Sequence, residues 1–81
     1  MTVQQEIERY RKDALYFEEN REEFLRLYPE RWVAVYEQKM VGVAKHLPQL
    51  INSLKKKGLP SNHTFIEYLS TNEATLILSS L

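Results

Sequence analysis

The sequence predicts an α+β domain: N-terminal helices, then a β-hairpin, a helix and one or two further strands forming a small antiparallel sheet. Three observations carry this. Apolar residues recur at helical spacing from Val3 to Phe17. Pro29 then interrupts the chain just before two short runs, Trp32–Tyr36 and Met40–Ala44, rich in β-branched and aromatic residues. A third segment, from Leu47 to Leu54, returns to helical spacing between a proline and a glycine.

Taken in order, Val3, Ile7, Tyr10, Ala14 and Phe17 alternate steps of four and three, which draws one stripe along a helix from about Thr2 to Glu19. Thr2 suits the N-cap, because its hydroxyl can accept from an orphan backbone N–H, and Gln5 completes a capping box. A second cap-x-x-Glu pattern, Asn20 to Glu23, favours a break at Asn20 and a short second helix through Leu27; a helix unbroken over 3–27 is the alternative. Pro29 ends either version, since the residue before a proline is pushed out of the α region.

The two extended runs and the polar connector Glu37-Gln38-Lys39 predict a hairpin. Its register has two solutions. A two-residue loop places Trp32, Ala34, Val41 and Val43 on one face; a three-residue loop groups Val33 and Val35 with Val41 and Val43 instead. Leu47, Leu50, Ile51 and Leu54 then predict a helix over about 48–57. Pro48 fits its first turn, Lys55, Lys56 and Lys57 favour its negative end, and Gly58 with Pro60 stops it. Ser61-Asn62-His63 is a turn, Thr64–Leu69 a strand, and Thr71-Asn72-Glu73 a second turn. Ala74–Ser79 reads as a last strand, though an apolar run of this length also fits a helical turn. No internal repeat interrupts this order, and the whole of 1–81 is expected to be one domain, with 1–20 an extra helix on a core spanning 21–79.

Composition narrows the function. The chain of 81 residues has no cysteine, which excludes disulfides and thiolate metal sites. Residues Met1–Glu6 lack the basic head and apolar core of a signal peptide, and no apolar run is long enough to span a bilayer, so a cytoplasmic, soluble protein without a membrane partner is expected. Formal net charge is zero, which weighs against nonspecific nucleic-acid binding. The zero conceals an excess of acids in residues 1–30 and of bases in 31–81, so two copies, or the two segments, attract mildly.

No recognised chemical motif is present. His46 and His63 stand seventeen residues apart without neighbouring ligands of the type zinc needs, so neither a metal nor any other cofactor is expected. Glu18, Glu19, Glu22 and Glu23 read as a solvated helix face, with an acidic docking strip as the functional alternative. The serines lack a nucleophile elbow, and Gly42 and Gly58 are too few for a phosphate loop. Gly42 in mid-strand suggests a bulge or a close neighbour such as Trp32. Trp32, Tyr36, Phe65 and Tyr68 read as the core of the sheet rather than a ligand groove.

The run Tyr28-Pro29-Glu30-Arg31-Trp32-Val33-Ala34-Val35, with Lys39-Met40-Val41-Gly42-Val43-Ala44 after it, resembles a family of small prokaryotic domains without assigned function. Its hallmark is a tyrosine-proline-glycine-lysine-tryptophan-valine-alanine strand, an aspartate-glycine hairpin turn and a valine-rich return strand. The helix at Leu47–Lys57, Gly58 and the strand Thr64–Leu69 follow in the same order, so the resemblance spans roughly residues 22–79. Two departures stand out: Glu30 replaces the glycine, and Glu37-Gln38 replaces aspartate-glycine, which argues for a longer or bulged turn because neither residue favours positive φ. The resemblance implies a non-enzymatic, accessory module and transfers no catalytic residue.

The expected function is therefore a small protein-interaction or regulatory module that binds a protein partner or itself. The candidate partner-binding residues are Tyr10, Tyr16 and Phe17 on the first helix, and Leu76 and Leu78 on a last strand able to pair at its edge. The alternative is an antitoxin-like or nucleic-acid-binding regulator in which Arg31 and Lys55-Lys56-Lys57 meet phosphate.

Overall fold

A computed structural model describes residues 2–71. Two helices, α1 (Val3–Glu19) and α2 (Arg21–Leu27), lead into strands β1 (Arg31–Val35) and β2 (Met40–Ala44). Helix α3 (Leu47–Lys56), a 3-10 turn at Ser61–His63 and strand β3 (Phe65–Leu69) complete the described fold. The sheet is antiparallel in both pairings, with spatial order β2-β1-β3. The expected strand at 74–79 lies outside the described residues.

The helix signals in the sequence act as read, with one difference. Thr2 and Gln5 form the capping box at the start of α1. The chain breaks at Asn20, but that side chain does not cap α2; its Nδ2 donates to the Tyr16 carbonyl at 2.8 Å and closes the end of α1 instead. Helix α3 ends where the lysine run and glycine require. Gly58 takes φ +74, and the Gly58 and Leu59 N–H groups turn back to the Lys55 and Leu54 carbonyls at 3.0 and 2.9 Å.

The hairpin resolves the register question by combining both solutions. Tyr36 and Lys39 exchange both backbone hydrogen bonds, so the loop has two residues, Glu37 and Gln38, both at positive φ (53° and 61°). This is the mirror-image turn that follows the natural twist of a hairpin, built here without the glycine it normally prefers. Beyond it the pairing slips from Val35↔Met40 to Ala34↔Gly42, leaving Val41 as the extra residue of a bulge. As a result Val33 and Val35 share a face with Met40, while Trp32, Ala34 and Val41 turn to the other face.

Both faces of the sheet are covered by helices. Val33, Val35, Phe65 and Leu69 pack against Phe17 of α1 and Phe24 of α2. On the opposite face Ala34 packs with Leu50 and Leu54 of α3, flanked by Trp32 and Ile66. Leu50 and Leu54 are completely buried, a gain of about 1.5–3 kcal/mol for each side chain. Gly42 permits this approach: a Cβ there would lie 2.6 Å from Leu50 Cδ1. The large neighbour of Gly42 is thus Leu50, on the helix, rather than Trp32, whose ring instead meets Tyr68 on β3 at 5.2 Å.

Candidate interaction surface

Helix α1 is fixed over the sheet by an acid in the middle of its apolar stripe. Asp13 is completely buried. Its Oδ1 accepts from the Gln38 amide at 2.7 Å, and its Oδ2 accepts from the Glu37 amide and from Arg9 Nη1, both at 3.1 Å. Arg9 also donates to the His63 carbonyl at 2.7 Å and lies 4.2 Å from the Tyr36 ring centroid. One charged pair thereby ties α1 to the hairpin tip and to the turn before β3, and satisfies two backbone donors of a strained turn. Sequence reading passed over Asp13. Its signal was position: it lies three residues after Tyr10 and four before Phe17, inside the stripe rather than opposite it.

That anchor sets which way the rest of α1 faces. Each residue advances about 100° around an α-helix. Arg9 and Asp13 stand over the hairpin tip, and Phe17 points into the core. Further round in the same sense comes Tyr10, whose ring meets Phe65 of the outer strand β3 at 5.6 Å. Val3 and Ile7 lie beyond Tyr10 again, so the stripe Val3–Ile7–Tyr10 faces past the β3 edge. These side chains are 74%, 55% and 44% exposed. With Asn62 and His63 they line an open groove, along whose wall His63 Nδ1 stands 3.7 Å from Glu6 Oε2. Among the described residues no strand lies outside β3.

A second polar cluster closes the far end of β3. Glu30 takes φ +56, and its amide donates to the Leu69 carbonyl at 2.7 Å. Its carboxylate accepts from the Tyr68 hydroxyl at 2.8 Å, from the Thr71 amide at 3.0 Å and from the Thr71 hydroxyl. The Thr71 hydroxyl, then Tyr68 and the Thr71 amide, hold the Glu30 carboxyl below its ordinary range; the same Glu30 bond raises the Tyr68 phenol.

The sequence-derived candidates separate on this frame. Tyr10 is on the exposed stripe. Tyr16 is half-buried, with its ring 5.9 Å from Phe24. Phe17 is completely buried and is withdrawn as a partner contact, because it lies where Phe24 of α2 and Phe65 of β3 both cover it. Leu76 and Leu78 lie outside the described residues. Arg31 and the lysine run are not brought together. Arg31 pairs with Leu69 at the end of β1 away from the hairpin tip, on the α1 face. Lys57 caps the Val41 carbonyl near the tip, beneath α3 on the other face. His46 precedes α3 and His63 precedes β3, and the described residues hold no cluster of three potential metal ligands. Of the acids around the helix break, Glu18 pairs with Arg21 and Glu23 with Arg26.

No helix of the described residues is long and apolar enough to cross a membrane. Comparison with protein-family models, curated proteins and solved structures gives no match for the chain.

Proposed function

We propose that this protein is a non-enzymatic interaction module that docks a protein partner, in the first instance a second copy of itself, on the Val3–Ile7–Tyr10 stripe of α1 beside the edge of β3. The observation that carries the reading is the exposure of three apolar side chains in register along one helix, next to a strand that has no neighbour on its outer edge among the described residues. Two further features support it. Asp13 and Glu30, the acids in the most structured surroundings, are committed to backbone and hydroxyl donors within the chain. The opposite charge excess of residues 1–30 and 31–81 favours two copies meeting head to tail.

The resemblance noted in the sequence fits the same accessory role. Its glycine and its aspartate-glycine turn fall at positions 30, 37 and 38, which are the described non-glycine residues with positive φ. The backbone at these positions takes the conformation that those residues would favour.

Sedimentation velocity over a range of concentrations tests the docking. The native chain is expected to associate as concentration rises, and Ile7→Asp to remove that association while leaving the circular dichroism spectrum intact. Identical sedimentation of the two proteins would overturn the reading.

A further inference from the structure

Strand β2 is the other edge of the sheet, and among the described residues no strand lies outside it. Tyr36 and Lys39 exchange both backbone bonds, so the alternation of an antiparallel ladder turns the N–H and C=O groups of Met40 and Val43 away from β1. The bulge sets these two residues opposite Val35 and Val33, two apart, which is the spacing an extended chain offers. The carbonyl of Val41, the extra residue between them, accepts from Lys57 Nζ and is satisfied within the chain. That bond brings the row Gln49–Ser53–Lys57 of α3, each residue four from the next, along the same edge. With Asn52 and Lys56 the row lines an open groove. Exposed lysines also flank β2, Lys39 before it and Lys45 after it. Residues 38–66, from the hairpin tip through β2 and α3 into β3, contain five lysines and no Asp or Glu.

We infer that the β2 edge is a second docking surface, and that its occupant is an extended acidic segment of a partner protein. It does not depend on the α1 reading, because the α1 stripe lies beside β3, at the opposite edge of the sheet. The segment adds to β2 as an outer strand, its backbone paired with the outward groups of Met40 and Val43. Its side chains alternate between the two faces of the sheet. Those on the α3 face meet Ser53, Lys56 and Lys57, where a carboxylate finds hydroxyl and ammonium donors. Those on the other face meet Met40 and Val43, since Val43 pairs with Val33 of the α1 side; Val43 is 39% exposed, so apolar residues suit them. The recognised pattern is therefore acidic and apolar residues in alternation. Lysines commonly guard an edge strand against pairing. Here the guard also selects, because it repels a basic strand and attracts an acidic one. A single-stranded nucleic acid can use the same lysines, but it cannot pair with a strand edge, and neither Met40 nor Val43 offers its bases a ring to stack on.

Titration of the isotope-labelled full chain at low salt with a capped peptide of about eight residues, Glu alternating with Val or Thr, tests this. The peptide is expected to shift the amide signals of Met40, Val43, Ser53 and Lys57, to slow hydrogen exchange at the Met40 and Val43 amides, and to leave Ile7 and Tyr10 unmoved. The same sequence N-methylated at every residue keeps the charge but has no amide to donate, and is expected to bind about tenfold more weakly or worse. Lys45→Glu/Lys56→Glu is expected to weaken the Glu peptide about tenfold and to accept instead the peptide with Lys in place of Glu. Unmoved Met40 and Val43 signals, equal binding of the N-methylated peptide, or a charge-reversed variant that still prefers Glu would each overturn the inference. A single-stranded thymidine oligonucleotide completes the test. If it binds at Lys45, Lys56 and Lys57 more tightly than the peptide does, without slowing exchange at Met40 and Val43, nucleic acid is the ligand and the inference falls.

Discussion

The Asp13 carboxylate lies 2.7 Å from the Gln38 amide nitrogen, joining the middle of the first helix to the tip of a hairpin twenty-five residues later. Replacing Asp13 by Ala strands the Glu37 and Gln38 amides and leaves Arg9 without its ionic partner. Removing one member of a buried pair costs about 3–5 kcal/mol. The expected result is a large fall in the urea midpoint with unchanged m-value, and Asp13→Asn should recover only part of it, since one amide oxygen replaces two carboxylate acceptors.

The turn that Asp13 supports is itself strained. A residue with a side chain in the left-handed region costs about 1–2 kcal/mol, and Glu37 and Gln38 both sit there. Gln38→Gly should stabilise the native protein by about 0.5–1 kcal/mol after the added freedom of the unfolded chain is subtracted. The gain should be larger in the Asp13→Ala background, where nothing else holds the turn, and a double-mutant cycle by urea unfolding measures that coupling.

These two effects show how far the sequence could be read. The elements were legible because their signals are local: the Thr2 capping box, Pro29, the β-branched runs, and the lysines and Gly58 at the end of α3. The register was not, because Glu37-Gln38 argues against a tight turn on local grounds. The tight turn forms because a distant carboxylate satisfies its amides, and the bulge at Val41 then reassigns the faces. Tertiary neighbours likewise decide the site. Periodicity places Tyr10 and Phe17 in one stripe, and it is the position along the helix that separates them: Phe17 lies where Phe24 of α2 and Phe65 of β3 both cover it, whereas Tyr10 meets Phe65 nearer the start of α1 and stays 44% exposed.

Gly42 and Leu50 define how closely α3 rests on the sheet. Gly42→Ala puts a methyl group 2.6 Å from Leu50 Cδ1, so helix or side chain must move. Overpacking of this kind costs about 1–3 kcal/mol. Leu50→Ala should cost about 2–5 kcal/mol as a cavity, but the double variant Gly42→Ala/Leu50→Ala should lose less than the sum, because the new methyl partly fills the space. Thermal or urea unfolding of the four proteins checks the sign of that interaction.

Glu30 makes stability depend on pH at both extremes. Its carboxyl is held below the ordinary carboxylate value of 4.5 in the folded chain by Thr71 and Tyr68, so the bonds contribute above that value and are lost as pH falls through the lowered folded pKa. Tyr68 is raised above 10.0 by the same bond, so its contribution is present below that value and disappears as pH rises through the raised one. Glu30→Gln should flatten the acid limb of a urea-midpoint profile, and ultraviolet titration should show one tyrosine ionising earlier than in the native protein. Tyr68→Phe removes that tyrosine from the titration and identifies it.

The apolar stripe of α1 should divide by function when each residue is truncated in turn. Phe17 is completely buried against Phe24 and Phe65, so Phe17→Ala should cost about 3–5 kcal/mol and leave the protein largely unfolded if the domain is only marginally stable. Ile7 is 55% exposed on the same helix, so Ile7→Ser should change stability by less than about 0.5 kcal/mol. Hydrogen exchange separates the two outcomes. Phe17→Ala should raise exchange throughout β1 and β3, whereas Ile7→Ser should leave the amides that β1 and β3 share protected. Uniform loss of protection in both variants would mean that the stripe is a single structural seam rather than a core half and a docking half.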